Sequence, residues 1–339
     1  MKQIAVIGAG SMARVRARAL LATGQAEICA VAARHQGSAE AFGAEIGCAL
    51  CFDDFRRVVE ASPEAVLVEV PHAAQDDIVL WALETGLPVL IGGSLASSVR
   101  VGEAIRQVSE ARELVVEAGY EARYHSVWEA ARDELAAGRI GRMVAARALA
   151  LWDGDPATWY YSQQISGGMP LTHMTYCFIN PLRWLLGEPT HVSAFANRKA
   201  HTAAGLIEQE TCIANLVFPD DVLGSLTAGF VKPEALPAWS VTFLGTDGAL
   251  EVTPVDLGGG TLTIYDVDGA RTRDFAGARD AFEAQAAVFL GALDGTDTCR
   301  NTPRDTLGDL QVAEAIMASV RDKRTIALAG GREDRAMPE

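Results

Sequence analysis

The segment Ile4-Ala5-Val6-Ile7-Gly8-Ala9-Gly10-Ser11-Met12-Ala13 narrows the folds open to this chain more than any other. A short apolar strand runs directly into a turn with the spacing Gly8-x-Gly10-x-x-Ala13, and helix-compatible sequence follows to Thr23. Glycine at 8 permits a tight turn. Glycine at 10 leaves the backbone open to a pyrophosphate, and alanine at 13 lets the new helix pack closely on its strand. The helix N-terminus then aims its free N–H groups at the phosphates. Gly8, Gly10, Ser11, Met12 and Ala13 are therefore the expected dinucleotide-binding residues. A glycine triplet alone is a weak signal, but here the strand, the helix and a second strand near residue 28 stand in the right order.

The second strand ends in Ala33-Arg34-His35, with no carboxylate until Glu40. An acidic residue at that point usually reads the ribose of NAD, whereas an arginine accommodates the 2′-phosphate of NADP. Arg34 and His35 are thus expected at the ribose, and NADP(H) is favoured over NAD(H). The competing reading is that Arg34 is an ordinary solvated strand end.

Through residue 120 the pattern alternates strand and helix, with strands at Gln3–Ile7, Ile28–Ala33, Ala65–Val70, Val89–Ile91 and Leu114–Glu117. Near-continuous apolar strands separated by helices indicate a doubly wound parallel sheet covered on both faces, an α/β arrangement. Beyond Tyr120 the pattern changes to α+β. Alternating strands such as Met143–Leu151 and Glu210–Phe218 are joined by hairpin turns at 219–221, 246–248 and 268–269, and one helix, Pro170–Leu186, interrupts them. The division expected is 1–121 for the dinucleotide and 122–339 for substrate and oligomer contacts. The tail from Gly330 is expected to fray.

The net charge of −15 argues against nucleic acid or an anionic membrane surface as partner, since both reward clustered Lys and Arg. No apolar run is long enough to span a bilayer, and the first strand starts without a basic leader, so a cytoplasmic protein is expected. Of six cysteines, Cys48 and Cys51 form a C-x-x-C with no second pair at zinc spacing, and read as part of a short buried strand.

Several motifs together resemble the Gfo/Idh/MocA oxidoreductase family. They are the glycine turn, Phe55-x-x-Val58-Val59, Ala82-Leu83-Glu84-Thr85-Gly86-Leu87-Pro88-Val89-Leu90, Arg123-Tyr124-His125, Gly138-Arg139-Ile140-Gly141, Arg183-Trp184-Leu185-Leu186-Gly187 and Gly245-Thr246-Asp247-Gly248. The resemblance spans nearly the whole chain. It implies an N-terminal Rossmann domain and a C-terminal domain with a large open-faced, mostly antiparallel sheet. It also implies NAD(P)-dependent redox chemistry on a sugar or polyol, and a homodimer or homotetramer packed through that sheet. In the family arrangement Pro71, His72 and Ser94 border the nicotinamide side, and Arg123, Tyr124 and His125 lie near the substrate pocket.

This chain departs from the family at its best-known positions. Where members carry Glu-Lys-Pro it reads Gly92-Gly93-Ser94, and where they carry Asp, His and Asp along the later helix it reads His173, Cys177 and Asn180. The chain has only four lysines, Lys2, Lys199, Lys232 and Lys323, none placed to replace the missing one. Hydride transfer to a carbonyl leaves an oxyanion, and a positioned acid typically contributes ~10²–10⁴ in rate. The candidates are His173, which ordinarily titrates near neutral pH, and Tyr176, a phenolic donor. Thr172, His173, Tyr176, Cys177 and Asn180 stand at helical i, i+3 and i+4 spacings, so most should share one face. Each of His173 and Tyr176 could equally be a packing residue. His173 and Cys177 lack a third partner, so no metal site is expected.

Arg123 could pair with a substrate carboxylate or phosphate, and His125 could simply cap a helix. Trp159-Tyr160-Tyr161 could wall a flat or apolar substrate, or could form a subunit contact. The leading expectation is an NADP(H)-dependent reductase of an imine, a conjugated C=C or a ketone, acting on a small-molecule substrate. A keto-sugar or polyol dehydrogenase, and a cofactor-binding protein with redox-neutral or no catalysis, stay open.

Overall fold

The computed structural model describes residues 1–231, 239–255 and 258–328. Lys232 and the tail from Gly330 lie outside the described residues.

The first layer is built from β1 (Lys2–Ile7), α1 (Ser11–Ala22), β2 (Ala26–Ala32), α2 (Gln36–Ile46), β3 (Cys51–Phe52), β4 (Ala65–Val68), α3 (His72–Glu84), β5 (Val89–Ile91), α4 (Val99–Ala111) and β6 (Val116–Glu117). Its six strands are parallel, in the order β3-β2-β1-β4-β5-β6. The order reverses between β1 and β4, and ligands of such sheets bind at that crevice, outside the carboxyl ends of the strands. The strands bury nearly every side chain because helices cover both faces. Gly86, at a φ of +84°, ends α3 and frees Leu87-Pro88 to lead into β5.

The second layer opens with α5 (Ser126–Ala136) and β7 (Met143–Leu151), and continues through the short helix α6 (Gln163–Ser166). A π-helix, Pro170–Ile179, follows and runs into α7 (Asn180–Leu186). Next come β8 (His191–Asn197), β9 (Thr211–Val217), β10 (Leu223–Gly229), β11 (Trp239–Gly245), β12 (Ala249–Pro254), β13 (Gly260–Asp266) and β14 (Gly269–Asp274). The helices α8 (Ala281–Leu293) and α9 (Pro303–Asp322) and the strand β15 (Ile326–Ala327) complete the layer. The nine strands form one sheet, β14-β13-β12-β11-β7-β10-β9-β8-β15, antiparallel except where β7 meets β10. α9 packs on one face of it together with the π-helix. The other face carries Phe195, Ile213, Leu223 and Leu244 exposed, with Phe195 opposite Ile213 across the β8–β9 pair.

Two features depart from the sequence expectation. The helix expected over Pro170–Leu186 is not one α-helix. Its first ten residues are wound on i→i+5 bonds. Pro181 has no N–H to give the carbonyl four residues back, and the Thr172 and Thr175 hydroxyls bond to the carbonyls of Gly168 and Leu171, so regular α-winding is interrupted there. The second departure is that α8 returns to the first layer. Phe282, Ala286, Phe289 and Leu290 share a core with Ile4, Val6, Ala17, Leu20 and Leu67.

Candidate active site

A cavity of about 510 Å³ opens at the carboxyl ends of β1, β4 and β5, roofed by the π-helix and by the loop holding Trp152, Trp159 and Tyr160. Its floor begins at the glycine turn. Gly8 sits at a φ of +128°, and any Cβ there would overlap the Glu69 carbonyl oxygen, so only glycine closes this turn. Gly10 is the opposite case, with no atom within 4 Å of where its Cβ would stand. α1 then starts at Ser11 with no side-chain cap and no acidic residue in its first turn. Open space at Gly10 in front of uncapped N–H groups is what a dinucleotide pyrophosphate requires, so these residues fit the cofactor. Ala13 is buried in the strand–helix interface, and Met12 and Arg16 reach the cavity wall.

Arg34 and His35 are exposed at the end of β2, and Arg34 forms no ion pair among the described residues. Pro71 precedes α3 as its backbone cap, and His72, the first residue of that helix, enters the cavity. His72 is buried, its Nδ1 lies 3.1 Å from the Ser166 carbonyl oxygen, and burial lowers its pKa. Ser94 was expected beside the nicotinamide. It instead sits fully buried behind the loop, donating to the Leu171 carbonyl at 2.9 Å and pairing with Thr175, and so braces the π-helix against β5.

The position of the family's lysine is bare backbone here, and the residue before it is sterically closed. A Cβ on Gly92 would fall on the carboxylate of Glu69. A Cβ on Gly93 would lie 3.4 Å from each of Gln75 Oε1, His72 Nε2 and Tyr176 Oη. Glu69 therefore fills the space a side chain at 92 would use. Its ion pair is with Arg16, Nε to Oε2 at 3.0 Å, and Glu121 stands 3.9 Å from the same guanidinium. Arg16 also donates to Gln285 at 2.8 Å and to the Gly119 carbonyl at 2.5 Å, and lies over the Phe282 ring. Burial pushes the Glu69 carboxyl up to about 7, against the opposing pull of Arg16.

The π-helix brings Thr172, His173, Tyr176 and Cys177 to the cavity, with Thr172 as backing behind His173. His173 is ringed by Trp152, Tyr160 and Phe230 at 4.5, 4.8 and 4.8 Å between centroids. Burial, helped by His72, lowers its pKa to about 3, so the imidazole is neutral near pH 7 and holds no spare proton. The expectation that His173 titrates near neutrality fails for that reason. Tyr176 donates to the Gly92 carbonyl at 2.7 Å, and burial raises its pKa well above the ordinary value. Tyr160 lines the cavity, its ring tilted against Trp159 with centroids 4.0 Å apart.

The remaining expected substrate residues divide. His125 lines the cavity from the N-cap position of α5, where its carbonyl accepts from Trp128 and Glu129 but its side chain makes no cap hydrogen bond. Its Nε2 donates to the Val255 carbonyl at 3.1 Å, and its buried Nδ1 has no hydrogen-bond partner among the described residues. Arg123, Tyr124 and Asn180 face away from the cavity. Arg123 pairs with Asp305 at 2.7 Å and donates to Asn180 at 3.1 Å and to the Arg300 carbonyl at 2.9 Å. Asn180 donates to Asp309 at 2.8 Å, and Tyr124 donates to Glu117 at 2.7 Å. They form a polar knot behind the π-helix, so Arg123 is committed to Asp305, Asn180 and the Arg300 carbonyl rather than offered to a substrate in this cavity.

Sequence reasoning missed Arg16, Glu69, Gln75 and Glu121. One signal was present: Glu69 is a lone acid at the end of the core strand run Ala65-Val66-Leu67-Val68. Charged residues are seldom fully buried unless paired, so an acid there demands a partner.

A dinucleotide turn opening onto a cavity at the sheet's switch point defines the protein as an NAD(P)-dependent oxidoreductase. The family description "Oxidoreductase family, NAD-binding Rossmann fold" matches residues 2–120, and "GFO/IDH/MocA C-terminal domain" matches residues 128–251. The chain belongs to the Gfo/Idh/MocA oxidoreductase family. It is 24% identical to the rhizopine catabolism protein MocA of Rhizobium meliloti over 317 residues, covering 92% of this chain and 93% of that protein. It is 26% identical to a myo-inositol dehydrogenase of Streptomyces leeuwenhoekii over 321 residues, covering 92% and 95%. In fold it is similar to a levoglucosan dehydrogenase solved with NADH and levoglucosan, with a TM-score of 0.87 at 18% identity over 97% of this chain and 99% of the other. No helix among the described residues is long and apolar enough to cross a membrane.

Proposed function

We propose that this oxidoreductase is an NADP(H)-dependent reductase of an imine, a conjugated C=C or a ketone carried on a small, flat, largely apolar substrate. The observation that carries the reading is the bare backbone at Gly93. The position from which relatives extend a lysine has no side chain, and His72, Gln75 and Tyr176 close around it. Among the described residues no lysine lines the cavity, and His173 is neutral, so neither meets a developing alkoxide there. Trp152, Trp159, Tyr160 and Trp239 offer ring faces to an unsaturated substrate. Of the two donors expected from sequence, Tyr176 is better placed, since its hydroxyl is protonated at any working pH and lies beside Gly93.

The dinucleotide lies along Gly8, Gly10, Ser11, Met12 and Ala13, with Pro71 and His72 at its nicotinamide end. Arg34 and His35 stand where a 2′-phosphate would be read, which supports NADP(H). Residues 1–121 serve the dinucleotide, with α8 packed back on them, and 122–339 serve the substrate and a homodimer or homotetramer. The exposed Phe195, Ile213, Leu223 and Leu244 on the uncovered sheet face favour that contact. Following NADPH absorbance with a panel of imines, enones, ketones and keto-sugars tests the reading. Oxidation with at least one unsaturated apolar acceptor is expected. Turnover confined to keto-sugars, or none with any acceptor, overturns it.

A further inference from the structure

Three polar atoms converge on one point beside Gly93. A Cβ there would lie 3.4 Å from each of His72 Nε2, Gln75 Oε1 and Tyr176 Oη, and these are the atoms nearest to it. The bonds the three side chains make elsewhere decide what each offers at that point. His72 Nδ1 lies 3.1 Å from the Ser166 carbonyl oxygen, which can only accept, so Nδ1 carries the proton of the ring. Burial lowers the His72 pKa, so the ring holds no second proton near pH 7 and its Nε2 presents a lone pair. The Gln75 amide nitrogen donates to the Ser94 carbonyl at 2.7 Å, which leaves Oε1 facing Gly93 as an acceptor. Tyr176 has its proton on the Gly92 carbonyl at 2.7 Å and meets Arg16 as well. His173 repeats the pattern of His72. Its Nδ1 is 2.9 Å from Thr172 Oγ1, whose own proton goes to the Gly168 carbonyl at 3.1 Å, so Nδ1 donates and Nε2 is the acceptor. His72 and Gln75 line the cavity yet are only 4% and 1% exposed, so bulk water serves neither well. Two lone pairs aimed at one point cannot satisfy each other, and a buried acceptor left without a donor is costly.

We propose that this corner is a subsite for a primary amino group carried by the substrate, seated beside Gly93 with its N–H bonds donated to His72 Nε2 and Gln75 Oε1. The proposal rests on the reductase reading above and adds a substituent to the acceptor without changing the bond that is reduced.

The count of donors selects nitrogen. A primary amine brings two N–H bonds, and a third once protonated, whereas a hydroxyl brings one and a methyl group none. Only the amine can serve His72 and Gln75 together. Glycine at 93 is what leaves the point to a ligand, because any side chain there would start on it. The backbone gives no other reason for glycine, since Gly93 is not among the residues with positive φ. The body of the substrate has a surface next to the subsite. The Trp159 ring stands edge-on to His72 at 5.4 Å between centroids and 4.0 Å from Tyr160, so a flat group bonded to the amino-bearing carbon would meet these rings.

Equilibrium binding to the NADP⁺-loaded protein, read by tryptophan fluorescence, tests the subsite with probes of one skeleton. Phenylethanolamine, phenylethanediol and phenylpropanol place NH2, OH and CH3 at the same position, and the trimethylammonium derivative of the amine is a cation without N–H. The amine should bind most tightly, ~10-fold or more above phenylpropanol, with the diol between them and the trimethylammonium cation no tighter than phenylpropanol. Gly93→Ala sets a methyl group on the shared point at ordinary contact distance, so it should keep the native circular dichroism and bring the amine-to-propanol ratio near one. Equal affinities, a trimethylammonium cation as tight as the amine, no binding by any probe, or a preference that survives Gly93→Ala overturns the subsite. If Gly93→Ala fails to fold, the ratios in the unaltered protein decide the question alone. NADPH oxidation with α-aminoacetophenone, propiophenone and the wider acceptor panel tests the reductase reading separately. No turnover of any acceptor, with the amine preference intact, breaks that reading and leaves the amine site in place. Turnover of propiophenone with equal probe affinities breaks the subsite and leaves a reductase.

Discussion

Two clusters of buried arginine and carboxylate lie on either side of the π-helix, and they differ in what surrounds them. Behind the helix, Arg123 and Arg183 meet Asp305 and Asp309, with Asn180 bridging and Glu188 at the rim. Asp309 is fully buried, and its charge is answered by Arg183 and by Asn180. In front of the helix, Arg16 faces Glu69 and Glu121, and all three border the cavity. Both clusters pair arginine with carboxylates, and in both the carboxylates outnumber the arginines. Only the second borders the cavity onto which the glycine turn opens. Buried charge is therefore not itself a mark of function; its place beside the cofactor turn is the more informative sign.

The largest expected effect breaks the rear cluster. Arg183→Leu strands Asp309 without its counter-ion, and leaving a buried charge unpaired costs about 3–5 kcal/mol. Urea unfolding should show that loss, while kcat/KM of the folded fraction changes by less than about 3-fold. A large fall in kcat/KM at intact stability would erase the distinction between the two clusters.

The front cluster should respond in the reverse sense. Glu69→Gln keeps the shape and should cost under about 1.5 kcal/mol of stability, yet lower kcat/KM by ~10-fold or more, about 1.4 kcal/mol in the barrier, because the side chain borders the cavity. Unchanged turnover would remove Glu69 from the active site.

Acidity sharpens the contrast further. His173 has a folded pKa of about 3 against 6.5 for the free side chain, so below pH 6.5 the unfolded chain binds a proton the native one refuses. Stability should therefore fall as pH drops through that window, by up to ~1.4 kcal/mol per unit, and His72 adds in the same direction. Glu69 acts oppositely. Between 4.5 and about 7 the native state keeps a proton the unfolded chain has lost, so its contribution declines as pH rises. Chemical denaturation across pH should show a flatter acid limb in His173→Asn, and a smaller loss toward neutrality in Glu69→Gln. Identical slopes in all three proteins would contradict both assignments.

The smallest effect concerns the edge of the cofactor site. Arg34→Asp should reduce the preference for NADPH over NADH by about 10-fold, near 1.4 kcal/mol, measured by titrating each cofactor. No change would return Arg34 to the solvated strand end.

How far the sequence alone carries follows from the range of each interaction. The glycine turn, the parallel layer and the hairpin strands depend on local conformation and short periodicity, so Gly8, Gly10 and the β13–β14 turn at Gly269 are readable in place. The π-winding was not readable, because it arises from Pro181 and the threonine hydroxyls acting together over a full turn. That change in winding is also why His173 and Cys177 face the cavity while Asn180 joins the rear cluster. Arg16 and Glu69 are 53 positions apart in sequence and meet only because β1 and β4 are neighbours in the sheet. Arg123 was assigned to substrate for the complementary reason: its carboxylate partner, Asp305, comes from α9 at the far end of the chain.

The most direct test is the ratio of kcat/KM for dihydroisoquinoline over tetralone, measured in the unaltered protein and in Gly93→Lys. An aromatic-walled site with glycine at the family's lysine position should favour the imine by ~10² or more, and a lysine at 93 should narrow that ratio at least ~10-fold by assisting the ketone's developing oxyanion. A ratio near one in the unaltered protein, or one that the lysine leaves unchanged, would contradict the claim.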